Sequence, residues 1–185
     1  MKKVYSFIAF SMLIGVVLLN YGCGEKNTIK KTFKLKGYVE FPVDATTLTN
    51  YDQTQILDVS AQASDFAKHR SNLISVVLDS VKCFTREYLT PNDSSVQINN
   101  ASIKIGAVGG ADEVLLSAIQ NVNLTSIYEK DGVKANLNND GIAKFSSRLT
   151  SDPYTAQIRL QGDVNQPVNF KIQVNFFFTF AAWIL

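Results

Sequence analysis

The chain has 185 residues, a formal charge of +2, two cysteines and a single histidine. The excess charge comes from Lys2 and Lys3. Behind them basic and acidic side chains balance, and a neutral composition argues against a footprint for nucleic acid or an acidic bilayer. One histidine excludes multi-histidine metal sites, the absence of a CxxC pair excludes a zinc cluster, and two cysteines make no disulfide framework, so stability must come from packing.

The first segment is an address. Met1-Lys2-Lys3 precedes an apolar run from Val4 to Leu19, shorter than the roughly 20 residues of a spanning helix, and then Asn20-Tyr21-Gly22-Cys23-Gly24. A basic start, a short apolar run and a small residue before a cleavage point are the marks of an export signal. Around Cys23 the sequence resembles the lipobox of bacterial envelope lipoproteins of the Bacteroidota type, through Leu19, Gly22 and Cys23. In that motif the branched residue stands three places before the cysteine; here Asn20 occupies that place and Leu19 stands one step further back. The resemblance implies cleavage before Cys23, a diacylglycerol on its thiol and an acylated amine. It divides the chain into a signal peptide (1–22), a lipidated cysteine with a polar tether (23–31) and one domain (32–185). The membrane is then a partner through the lipid, and the location is a bacterial cell envelope, at the outer membrane. Two other readings stay open. Gly22-x-Gly24 has the small-x-small spacing of ordinary signal cleavage, which releases a secreted protein beginning at Glu25, and an uncleaved anchor is the third.

Strand signals dominate the remainder. Phe33, Leu35, Val39 and Phe41 alternate with Lys34, Lys36, Tyr38 and Glu40. Residues 58–70 have little strand character and read as helical. Over 73–88 the apolar face switches sides near Asp79-Ser80, which predicts a strand with a bulge, since one extra residue inverts the facing of all that follows. In that strand Cys83 points inward with Val81, as a buried thiol. Ala101, Ile103 and Ile105 alternate again, and Gly106-Ala-Val-Gly109-Gly110 ends that strand in a loop. No Lys-Ser/Thr follows the glycines, and Asp112-Glu113 would repel phosphate.

Ile142, Phe145 and Leu149 stand at helical spacing in 140–149, with Asn139 or Asp140 as N-cap and Asp152-Pro153 as the stop. Tyr154, Ala156, Ile158 and Leu160 alternate. The final strand, Asn169–Leu185, carries Phe170, Ile172, Val174, Phe176, Phe178, Phe180 and Ala182 on one parity. The other parity turns from Lys171, Gln173 and Asn175 to Phe177, Thr179, Ala181 and Trp183, which predicts cover on both faces of its second half.

The candidate sites are weak. His69, the one residue able to serve a Ser-His-Asp or Cys-His arrangement, lies in Lys68-His69-Arg70 and reads as a solvated surface side chain. Asn136-x-Asn138-x-Asp140-Gly141 has the spacing of half an EF-hand loop. Asparagine stands first and Ser147 stands where glutamate is needed, so a turn and helix cap is the reading. Glu87, Asp93, Asp112, Glu113, Asp152 and Asp163 could supply a carboxylate pair, which only geometry can select. Asn92-Asp-Ser94, Asn100-Ala-Ser102 and Asn123-Leu-Thr125 match the N-glycosylation pattern, and Asp79-Ser80-Val81 looks like a short O-glycosylation pattern of Bacteroidota envelope proteins. Tyr38, Tyr51, Tyr88, Tyr128 and Tyr154 are too dispersed for a sugar-stacking platform.

The expectation is an all-β antiparallel β-sandwich, with an Ig-like arrangement as one version and one or two short helices in its connections. No cofactor, metal or catalytic residue is assigned. The functional expectation is a non-catalytic, lipid-anchored envelope protein with a binding or structural role, whose partner is an envelope protein or a glycan and not nucleic acid. The alternatives are a fimbrial-type subunit that donates its last strand, a small carboxylate hydrolase and a carrier of an apolar ligand.

Overall fold

Alternation builds two sheets whose apolar faces meet. A computed structural model describes residues 28–45, 49–88, 95–128 and 132–184; the leader, Cys23, Asn92, Asp93 and Ser94 lie outside them. Lys30–Ile184 form one compact unit. The strands are β1 (Ile29–Ala45), β2 (Asn50–Asp58), β3 (Leu73–Arg86), β4 (Gln97–Gly106), β5 (Val114–Asn123), β6 (Val133–Lys134), β7 (Asn136–Leu137), β8 (Thr155–Val164) and β9 (Val168–Ile184). The helices are α1 (Val59–Gln62), α2 (Ser64–His69) and α3 (Asn139–Thr150). β1 begins at Ile29, inside the stretch read as tether.

The first sheet runs β1–β9–β3–β6 and the second β2–β8–β4–β5–β7. Counted outward from the middle of the chain, β4 pairs with β5, β3 with β6, β2 with β8 and β1 with β9, and successive pairs alternate between sheets. This is a long hairpin rolled around its own tip, the jelly-roll form of the sandwich. The antiparallel β-sandwich with short helices is therefore observed, but the Ig-like version is not. A constant-type Ig sandwich puts its first and last strands in different sheets, whereas here they are neighbours. Alternation fixes which face of a strand is wet, not which strand lies beside it.

β3 carries the bulge. Its pairing with β9 slips between Leu78 and Ser80, so Leu78 and Val81 both face inward while Asp79 is pushed out and accepts a hydrogen bond from Thr179 Oγ1 at 2.8 Å. The helices sit where the sheets leave the core open. α2 sends Phe66 and α3 sends Phe145 onto β9: Phe66 meets Phe178 at 6.2 Å and Phe180 at 5.4 Å between ring centroids, and Phe145 meets Phe176 at 5.8 Å and Phe178 at 5.6 Å. Such aromatic contacts add to the area that each ring buries.

Two local expectations are corrected. The N-cap of α3 is Asn138, one residue before the pair expected; its side chain accepts from the backbone of Asp140 at 2.9 Å and of Gly141 at 3.4 Å. Asp140 lies in the first turn, where a carboxylate suits the helix dipole. His69 is buried at the end of α2 and not solvated, because the Phe33 ring of β1 stacks on it at 5.2 Å. A charged neighbourhood in sequence gave no sign of a ring arriving from another strand.

Candidate functional site

The candidate acids are spread over the molecule, and the structure gives most of them partners. Glu87 receives Lys171 Nζ at 2.5 Å, and Asp163 accepts from Asn99 at 2.7 Å. Asp112 sits in the glycine-rich loop between β4 and β5, where it accepts from the Ala107 backbone at 2.9 Å, from Lys144 at 2.8 Å and from Arg148. The bond from Lys144 and that from the backbone hold its carboxyl well below the usual range. Glu113 accepts from Gln157 at 3.0 Å and Arg159 at 3.3 Å. These bonds staple the glycine-rich loop to α3 and β8; Gly109 N adds a bond to Gln157 Oε1 at 2.9 Å. The loop is a strand connection, as its sequence suggested.

The strongest polar cluster lies on the outer face of the second sheet, centred on Arg159 of β8. Its guanidinium grips Asp52 of β2 through two bonds of 2.7 and 2.6 Å, and Gln161 adds a third bond to Asp52 at 2.8 Å. The bonds from Arg159 depress the Asp52 carboxyl, and those to Asp52 and Glu113 raise the Arg159 guanidinium. The two carboxyls whose ionisation is displaced among the described residues, Asp52 and Asp112, are thus held in the charged form, which accepts hydrogen bonds but cannot act as a general acid at neutral pH. Sequence reasoning missed the Asp52–Arg159 pair. Alternation places each side chain on a wet face, but their 107-residue separation left no local signal that they meet. Beside this cluster lies a groove of about 350 Å³ that Asn100, Ser102, Leu115, Ala118, Gln120 and Gln161 help to line.

Asn138, from the EF-hand-like stretch, spends its side chain on the helix cap. Among the described residues no group of three or more potential ligands is placed to hold a metal ion. Cys83 is buried in β3, where burial pushes its thiol up to about 12. In a Cys23→Ser chain, Ellman's reagent at mildly alkaline pH is expected to find no reactive thiol until guanidinium unfolds the protein. Prompt reaction of the native chain would contradict the burial of Cys83.

The first sheet has a divided outer face. At one end Arg86 donates to Gln173 at 3.1 Å, Gln173 to Asn175 at 2.7 Å, and Lys171 stands 3.7 Å from Glu40. At the other end the polar ladder stops. Trp183 is 46% exposed, Val77 51% and Ile74 38%, Phe177 is half-buried, and Lys30, Lys34 and Lys36 of β1 form no ion pair with any described residue. The expectation that both faces of the second half of β9 are covered is met on one face only among the described residues: helices and the second sheet bury Phe176, Phe178 and Phe180, while on the other parity Ala181 is buried, Phe177 is half-buried and Trp183 is exposed, with no third layer among the described residues. The strand itself lies between β1 and β3 of its own chain.

The fold and its surfaces define a jelly-roll β-sandwich domain. No protein-family model matches the sequence, and no curated protein does. Among solved structures, a chain from Desmodium yellow mottle tymovirus is similar at 8% identity and a TM-score of 0.36, over 86% of this chain and 85% of that one. A chain from Turnip yellow mosaic virus is similar at 6% identity and a TM-score of 0.37, over 84% and 97%. Likenesses this distant carry no argument about function.

Proposed function

We propose that this chain is a non-catalytic, lipid-anchored protein of a bacterial cell envelope, held at the outer membrane by Cys23, with the sandwich as its binding or structural body. The observation that carries this reading is the Leu19-Asn20-Tyr21-Gly22-Cys23 segment behind a short apolar run, followed at once by a polar tether. Two acyl chains or more give stable anchoring, at about 0.8 kcal/mol per buried methylene. Support for a non-catalytic role comes from the polar groups, since Asp52, Asp112 and Glu113 are consumed in bonds that hold loops and strands together. The groove beside Arg159, with the amides of Asn100, Gln120 and Gln161 and the hydroxyl of Ser102, is where an envelope glycan or protein would be recognised.

Growth of a bacterial expression host with a clickable fatty acid is expected to label the wild-type chain and not the Cys23→Ser variant. Label retained by the serine variant would sink the anchor. An unlabelled wild-type chain beginning at Glu25 would replace it with the secreted reading.

A further inference from the structure

We propose that the outer face of the first sheet, at the end where β1 begins, is a membrane-contact surface that rests on an anionic bilayer. The inference builds on the reading of Cys23 as an anchor but is carried by separate residues. The six residues from Gly24 to Ile29 reach at most about 20 Å when fully extended, so a lipid on Cys23 keeps the start of β1 close to the headgroups. The end where β1 begins is then the part of the domain held within reach of the bilayer.

It presents one amphipathic patch. The stacking of Phe33 on Phe180 at 4.6 Å and the approach of Lys171 to Glu40 run in opposite directions along the two strands, which sets β1 antiparallel to β9. This brings the outward lysines of β1 beside the outward parity of the end of β9. Lys34, Lys36, Asp79 and Phe177 share the lining of a groove of about 360 Å³. Across β9, Thr179 pairs with Val77 of β3 and Phe177 with Ser80. Lys34 and Lys36 thus border the groove beside Phe177, and further along the same end of the sheet Val77, Ile74 and Trp183 stand exposed. Asp79, the acid in the groove, accepts from the Thr179 hydroxyl and offsets one of the two groove lysines, which leaves an excess of positive charge there.

Tryptophan at the edge of an apolar patch suits the headgroup level, and unpaired lysines suit lipid phosphates. Single exposed apolar residues are ordinary on soluble proteins; several together, bordered by an excess of one charge, mark a contact surface. A second copy is the poorer occupant, since pairing this face with itself brings two lysine rows into one interface. The neutral composition, which alone predicts no bilayer footprint, averages over a surface on which the fold segregates charge.

Trp183 is the chain's only tryptophan, so its fluorescence reports on this patch alone. The test uses the protein as recovered from cells, anchored or released, with vesicles of phosphatidylcholine alone or mixed with phosphatidylglycerol. Brominated phosphatidylcholine serves as a quencher confined to the bilayer. The expected result is a blue-shifted Trp183 emission, quenched several-fold more strongly when phosphatidylglycerol is present. Lys34→Glu/Lys36→Glu is expected to weaken that quenching roughly tenfold or more while the far-ultraviolet spectrum and the unfolding midpoint stay near wild type. Protein that sediments with vesicles while Trp183 stays open to aqueous iodide overturns the surface and leaves the anchor standing. Trp183 shielded in a lipid-free dimer overturns it in favour of a second copy. Quenching by phosphatidylglycerol vesicles of a protein without fatty-acid label supports the surface and removes the anchor.

Discussion

Ending the chain after Asn175 is expected to leave a polypeptide with no cooperative unfolding transition, and Phe178→Ala alone to cost about 3–5 kcal/mol. β9 is an inner strand, bonded to β1 on one side and β3 on the other, and the part from its midpoint onward carries Phe176, Phe178 and Phe180, all buried. Phe178 is touched from both α2 and α3, through Phe66 and Phe145. Truncation removes that contact and leaves the facing edges of β1 and β3 without partners, which is a loss no marginal stability of about 5–15 kcal/mol can absorb. The single substitution keeps the strand and removes only the ring, so its cost reads the packing separately from the hydrogen bonds. Urea denaturation followed by far-ultraviolet circular dichroism measures both variants. A truncated chain that kept a sharp transition would revive the strand-donation alternative, because a donor segment can be lost without unfolding its own subunit.

What the sequence reveals, it reveals through local periodicity. Alternation in β1, β4 and β8, the parity switch at Asp79-Ser80 and the helical spacing of Ile142, Phe145 and Leu149 each depend on a few adjacent residues, and each has its counterpart in the structure. The hidden part is what joins distant segments. Nothing local distinguishes a rolled hairpin from an Ig order, because both need the same wet and dry faces. Nothing near Lys68-His69-Arg70 foretells that Phe33 covers the imidazole. The outer face of the first sheet is half legible: the apolar parity of β9 is plain, but Lys34, which shares a groove with Phe177, and Val77, which pairs with Thr179, come from strands far away in the chain, and only the sheet order brings them to this face. The candidate acids show the same limit in reverse. Their number suggests chemistry, while their partners, Lys144, Arg148 and Arg159, turn them into structural clamps.

Gly141→Ala is expected to destabilise the domain by about 1–3 kcal/mol or more, the cost of overpacking, although alanine is the better helix former by about 1 kcal/mol. The reversal of sign comes from the distance between α3 and β5. A Cβ built on Gly141 would stand 2.5 Å from the Leu115 carbonyl oxygen and closer still to the Cα of Leu116, so backbone must move to admit it. The helix cannot simply shift outward. Its entry is tied to the same strand by Asn138 N donating to Leu116 O at 2.8 Å, its inner face is set by buried Phe145 and Leu149, and its outer face by Lys144 and Arg148 on Asp112. Any retreat from β5 therefore also disturbs the Phe145–Phe178 contact on which β9 depends. Ser147→Ala is the control: the residue is exposed on the same helix, and the substitution should be neutral or raise stability by a few tenths of a kcal/mol through propensity alone. Thermal and urea unfolding of the two variants side by side decide the matter, and a Gly141→Ala protein as stable as the Ser147→Ala protein would mean that α3 does not lie against β5 as closely as its backbone indicates.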